Sequence, residues 1–288
     1  MMLPLFAELC AGTAALSLRL HGGKNARPPV SRMGNKQGYA AAILRCLGLR
    51  SGSGAARYLW CEPDDGARLL LESYRSAEIR RKAAEIIRGW GDAGEDPRAL
   101  WERLRAEGPV KAPPVDPREV ARWIRLVTAN RLINLGPDWK NTGAGGSTFG
   151  GAEFCTAIPV LLDALGSVVD HPATVLPDAR AVCPPADLPP GSVVYIDPPY
   201  VNTTGYAHDL GRDAVCELAE RWASAGAWVV ISEAEPLAEL GWHQVEITGE
   251  RIGQKRTFSK QQREYLTMSQ PPRWRPSVQH TLFSMAAK

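Results

Sequence analysis

The sequence has no Cys-x-x-Cys pair. Its six cysteines, at 10, 46, 61, 155, 183 and 216, are scattered, and its five histidines stand apart from one another. A structural zinc site needs ligands at short paired spacings, so no metal is expected. The unpaired cysteines, and the absence of a basic-then-apolar leader, point to a reducing cytoplasm. No apolar run reaches the roughly 18 residues of a spanning helix, so no membrane segment is expected. Net charge is only +3, so no global field announces a polyanionic partner, and any basic face must be local. Internal repeats and low-complexity tails are also missing.

What is present is ample for a core: 288 residues, 44% of them hydrophobic. That length allows one large domain, or one with a smaller domain inserted. LPLFAELC (3–10) reads as a buried strand, AGT as a turn and AALSLRL as a helix. A Gly/Pro-rich loop follows (22–31), then a helix from Tyr39 to Leu49 and a second apolar strand at 56–63. From about 66 to 135 apolar residues recur at three and four, the helical period. Asp96-Pro97 and Asp116-Pro117 read as N-caps followed by proline in the first turn. Residues 136–151 are glycine-rich and read as a loop. Strand patterns return after 170, in ATVLPDARAV, SVVYIDPP, WVVISEA, HQVEITG and EYLTMS, with a helix over 209–225. Strand and helix thus alternate at both ends of the chain. The expectation is a parallel α/β sheet of Rossmann-like type over 1–72 and 165–288, with a mainly helical insert at 73–164.

The strand Val193–Ile196 ends on Asp197, Pro198, Pro199 and Tyr200. In a parallel sheet, ligands bind beyond the carboxyl ends of the strands. Each proline fixes φ near about −65° and offers no N–H, which makes a stiff corner rich in acceptors. Asp197 and the Pro198 carbonyl could together accept both N–H bonds of a planar exocyclic amine, and the Tyr200 ring could stack on the heterocycle. Such a corner suits the amino group of a nucleobase.

Asp-Pro-Pro-Tyr after a strand resembles motif IV of the amino-methyltransferases, which methylate N6 of adenine or N4 of cytosine with S-adenosylmethionine. FAELCAGTAALSLRL resembles their motif I, which wraps the methionine part of the cofactor. This implies cofactor contacts from Glu8, Cys10, Ala11, Gly12 and Thr13, although the family's second glycine is Ala14 here. SRMGNKQGYAAAIL resembles motif X of the Dam-like DNA adenine methyltransferases. There Met33, Gly34 and Asn35 would contact the cofactor, and Lys36 would lie by the transferring methyl and the target pocket. Glu62, or alternatively Asp64, would take the ribose hydroxyls, and Asp178 the adenine amino group.

The resemblance implies a DNA (adenine-N6) methyltransferase acting on a base flipped out of double-stranded DNA. Arg122, Arg125, Asn130, Arg131, Asn134, Lys140 and Asn141 are the expected DNA contacts from the helical insert and glycine loop. Lys255, Arg256 and Lys260 form an expected phosphate-contacting loop. Aspartate before Pro-Pro-Tyr favours adenine over cytosine. A catalytically silent binding subunit and an RNA substrate stay open. One departure stands out: in the family motif X precedes motif I, and here it follows. Either the motif X segment has moved into the connection after the first strand, or one of the two assignments is wrong. Trp60, Trp90 and Trp101 read as core.

Overall fold

The computed structural model describes residues 3–30, 36–110, 114–129, 151, 155–199, 210–247 and 264–274. Seven strands form one sheet: β1 (Leu3–Leu9), β2 (Ala55–Cys61), β3 (Ala173–Leu176), β4 (Val193–Ile196), β5 (Trp228–Glu233), β6 (His243–Ile247) and β7 (Glu264–Met268). Their spatial order is β3-β2-β1-β4-β5-β7-β6. The pairings from β3 through β5 are parallel, and β7 runs antiparallel to both its neighbours. Strand order reverses between β1 and β4, which makes that junction the topological switch point.

The central strands are apolar on both sides because both faces are covered. Phe6, Tyr58, Trp60, Val193, Tyr195 and Val230 join a cluster with α1 (Ala15–Gly22), α2 (Ala40–Cys46) and α3 (Asp65–Ser73). Leu5, Ala7, Leu9, Val194, Ile196, Val229 and Ile231 pack with α8 (Arg212–Ser224) on the opposite face. The β1–β2 connection and the β4–β5 connection thus cross opposite faces while moving in opposite directions, as crossovers of one hand must.

Between β2 and β3 the chain makes α4 (Ala77–Asp92), α5 (Pro97–Ala106), α6 (Pro117–Thr128) and α7 (Ile158–Gly166). Asp96 and Asp116 cap α5 and α6 with prolines in the first turn, as expected: Asp96 accepts from the Arg98 and Ala99 amides, and Asp116 from that of Arg118. Among the described residues of the expected insert, Leu100, Trp101, Val120, Trp123 and Leu161 join the same apolar cluster as the sheet. Close approach to α3 depends on Gly66, where a Cβ would sit 2.0 Å from the Trp123 ring.

β3 is shorter than the strand expected from ATVLPDARAV. It ends at Leu176, before Pro177, which has no N–H for the ladder. Among the described residues no helix is long and apolar enough to cross a membrane.

Candidate functional site

Strand parity assembles the site. Side chains alternate faces, so Glu8, Glu62, Asp197, Ser232 and Glu264 each follow the register of residues facing the α1–α3 layer. All five lie at one edge of the sheet. Glu8, Glu62, Asp197 and Ser232 stand at the carboxyl ends of β1, β2, β4 and β5. Glu264 joins them because β7 is antiparallel and brings its first residue to that edge.

Asp197 continues the β1–β4 pairing, its amide donating to the Leu9 carbonyl at 3.2 Å. Pro198 behind it is buried. Lys36 reaches Asp197 from a short 3₁₀ turn (Lys36–Gly38) ahead of α2, within the β1–β2 connection. Its Nζ donates to Asp197 Oδ1 at 2.6 Å and stands 3.8 Å from Glu264 Oε1. Lys36 is 4% exposed and Asp197 19%. The Ser232 hydroxyl donates to the same Glu264 oxygen.

Burial acts to lower the Lys36 pKa, but the facing carboxylates of Asp197 and Glu264 outweigh it and raise it, so the ammonium stays charged. Burial pushes Asp197 up to about 7, with Glu264 and Glu62 adding to the rise and Lys36 opposing it. Burial, then the Asp197 charge, pushes Glu233 up to about 8.

The turn after β1 is unusually bent. Cys10, Gly12 and Ala14 have φ of 65°, 54° and 50°. Only Gly12 adopts this left-handed region without a steric cost, and Ala14 does so where the resemblance implies glycine. Ala14 caps α1 without a side-chain acceptor, and Glu8 supplies one, its Oε1 accepting from the Ser17 amide at 2.6 Å. Burial pushes the Glu8 carboxyl up to about 7 against that hydrogen bond. Glu62 ties the same turn to β2, accepting from the Gly12 amide at 2.7 Å and from the Asp64 amide at 3.1 Å. Asp64 itself is committed as the α3 N-cap, accepting from Ala67. Ala11 and Thr13 are buried in the turn.

Asp178 lies in the loop beyond β3, bonded to the Arg180 amide and guanidinium. Its charge, with those of Glu62 and Asp197, adds to the rise that burial imposes on the Cys10 thiol, which places it by the same turn.

Two expected nucleic-acid contacts are corrected. Arg122 is 1% exposed, and its guanidinium is fully engaged: Glu119 takes Nε and Nη2, and the carbonyls of Leu104, Gly108 and Pro109 take the remaining donors. Arg125 is buried too, with Nη1 donating to the Thr156 carbonyl. Both arginines hold the helical layer together and present no donor fork to a groove. Met33, Gly34, Asn35, Asn130, Arg131, Asn134, Lys140, Asn141, Tyr200, Lys255, Arg256 and Lys260 lie outside the described residues. Glu264, Ser232 and Glu233 join the site without having been expected. The signal for them was a polar residue at the edge of an otherwise apolar strand.

Among the described residues no group of three or more His, Cys, Asp or Glu is placed to hold a metal ion. No protein-family model matches the chain, and no curated protein matches it.

Proposed function

We propose that the protein is a DNA methyltransferase that moves a methyl group from S-adenosylmethionine to N6 of an adenine flipped out of double-stranded DNA. One observation carries the reading. The two most specific stretches of the sequence, Asp-Pro-Pro-Tyr and Gly-Asn-Lys-Gln, lie far apart in the chain, yet Lys36 and Asp197 meet at 2.6 Å. They meet beside the switch point of a doubly wound sheet, where such sheets bind ligands. The lysine arrives from inside the β1–β2 connection, which favours the account in which the motif X segment has moved there.

The donor set fits the cofactor. Among the described residues the carboxyl groups of Asp197 and Glu264 stand within 4 Å of the buried Lys36 ammonium, and those of Glu8 and Glu62 lie at the same edge of the sheet. A cationic ligand suits that imbalance, and S-adenosylmethionine is a sulfonium that supplies an electrophilic methyl when bound. The 10–14 turn and Glu62 would hold it at the end of β1.

Asp197 does the work on the amine. The exocyclic nitrogen of adenine is a poor nucleophile because its lone pair is delocalised into the ring. Hydrogen bonds from both N–H groups to Asp197 and the Pro198 carbonyl would favour a tetrahedral nitrogen with an available lone pair. They would also stabilise the positive charge that develops there. A fixed corner supplies orientation as well. The stiffness of Pro198–Pro199 keeps these acceptors from turning away.

Digestion of methylated DNA to nucleosides tests the substrate. N6-methyldeoxyadenosine supports the proposal. N4-methyldeoxycytidine would keep the corner chemistry and replace the base. Label entering RNA and not DNA would replace the polymer.

A further inference from the structure

We propose that Glu264, oriented by the Ser232 hydroxyl, is a positioning residue that shares the Lys36 ammonium with Asp197 and so sets how much negative charge Asp197 keeps for the target amine. The inference rests on the proposed amino-methyl transfer for its purpose, but its geometry stands apart from it.

The Lys36 ammonium lies between two carboxylates at unequal distances, 2.6 Å from Asp197 and 3.8 Å from Glu264. Were Asp197 its sole partner, the ion pair would neutralise most of the carboxylate and weaken it as an acceptor. Glu264 draws on the same cation from 3.8 Å. The Ser232 hydroxyl donates to the Glu264 oxygen nearest Lys36, and so fixes which oxygen faces the lysine. The sheet makes the arrangement rigid, because Ser232 and Glu264 sit on β5 and β7, which pair antiparallel at this edge.

The chain beyond β7 adds a second clamp on the lysine-bearing segment. The Arg273 amide donates to the Cys46 carbonyl at the end of α2, at 2.8 Å, and the Arg45 guanidinium lies 4.8 Å from the Trp274 ring centroid. Glu264 at the start of β7 thus faces the turn ahead of α2, and the segment after β7 holds the end of α2.

Among the described residues, Glu8 on β1, Cys10 in the turn after it, Glu62 after β2, Tyr195 on β4 and Glu233 on β5 also act on Asp197 or Lys36. Among these described groups Glu264 is distinguished because it also stands within ion-pair range of Lys36.

The test is the titration of the Asp197 carboxyl carbon by NMR in ligand-free protein labelled at aspartate Cγ, with D197N assigning the signal. It needs no turnover. Glu264→Gln should lower the Asp197 midpoint by about one pH unit, because a like charge is removed and the lysine's pull is undivided. Lys36→Met should move it the opposite way by at least as much. Ser232→Ala, which releases Glu264 without removing it, should shift the midpoint in the Glu264→Gln direction by less.

An unmoved Asp197 midpoint in folded Glu264→Gln, or a shift in the same direction as Lys36→Met, overturns the proposal. If Glu264→Gln does not fold, an unmoved midpoint in Ser232→Ala does so. In methyl transfer, the acid limb of kcat/KM should follow the NMR midpoints of the Glu264 and Ser232 variants. A purely structural role would lower activity or Tm and leave that limb in place. Wild-type protein that transfers no methyl to any nucleic acid, while the midpoints move as stated, would overturn the proposed function and leave the positioning role standing.

Discussion

Arg122→Ala separates a structural arginine from a DNA-reading one. The side chain is 1% exposed and makes five hydrogen bonds, two of them to Glu119, which is itself buried. Truncation would leave the Glu119 carboxylate without its buried partner. It would also leave the Leu104, Gly108 and Pro109 carbonyls short of a donor. Breaking a buried pair from one side costs about 3–5 kcal/mol, and each buried acceptor left unmet adds about 1 kcal/mol or more. The expected loss is therefore at least about 4 kcal/mol, a large part of a domain's whole stability. Equilibrium urea unfolding measures it. The double variant Arg122→Met with Glu119→Leu removes both charges together and should recover well over half of that loss. Arg122→Ala that is stable to within about 1 kcal/mol of wild type, yet loses DNA affinity, would refute the buried role.

Three further outcomes are expected. His171 is buried against the Trp60 and Tyr58 rings, and burial holds its imidazole down to about 3. The unfolded chain takes up that proton below about pH 6.5, so this contribution to stability is present above that pH and is lost as pH falls; His171→Phe should be roughly 2 kcal/mol less sensitive to a change from pH 7.5 to 5 in denaturant titrations, and equal sensitivity would contradict it. Gly66→Ala puts a methyl 2.0 Å from the Trp123 ring and should cost about 1–3 kcal/mol by overpacking, seen as a lower Tm with Trp123 fluorescence shifted; an unchanged Tm would mean that α3 and α6 are not so close. In the proposed reaction Asp197 must be ionised to accept from the amine, and its carboxyl is held up to about 7, so kcat/KM should rise about tenfold per pH unit up to pH 7 and then level; a flat profile from pH 5.5 to 8 would oppose that role.

The parts of the site legible in the sequence are those written in short local stretches. Asp197 follows four strand residues, and its two prolines announce a stiff corner whatever lies around it. Lys36 was legible only as part of a turn, and its contact with Asp197 depends on how the β1–β2 connection folds back. Glu264 was hidden by topology. It begins a strand, and only the antiparallel course of β7 brings it to the edge where the other strands end. Arg122 shows the opposite failure. A helical pattern gives the side of α6 on which the arginine lies, but not that the α5–α6 connection covers that side. The shorter β3 was readable in principle from Pro177, which ends the ladder. The shared core of the helical segment was not, because the contact of Trp123 with Gly66 is set by the approach of α3 and α6.

In the proposed reaction Asp197 activates an exocyclic amine for methylation. Single-turnover transfer of labelled methyl from S-adenosylmethionine into unmethylated duplex DNA, wild type against Asp197→Ala, tests it most directly. The expected result is N6-methyldeoxyadenosine from wild type and a rate at least about 100-fold lower in the variant, with cofactor still bound. Transfer by Asp197→Ala within a few-fold of wild type would contradict it.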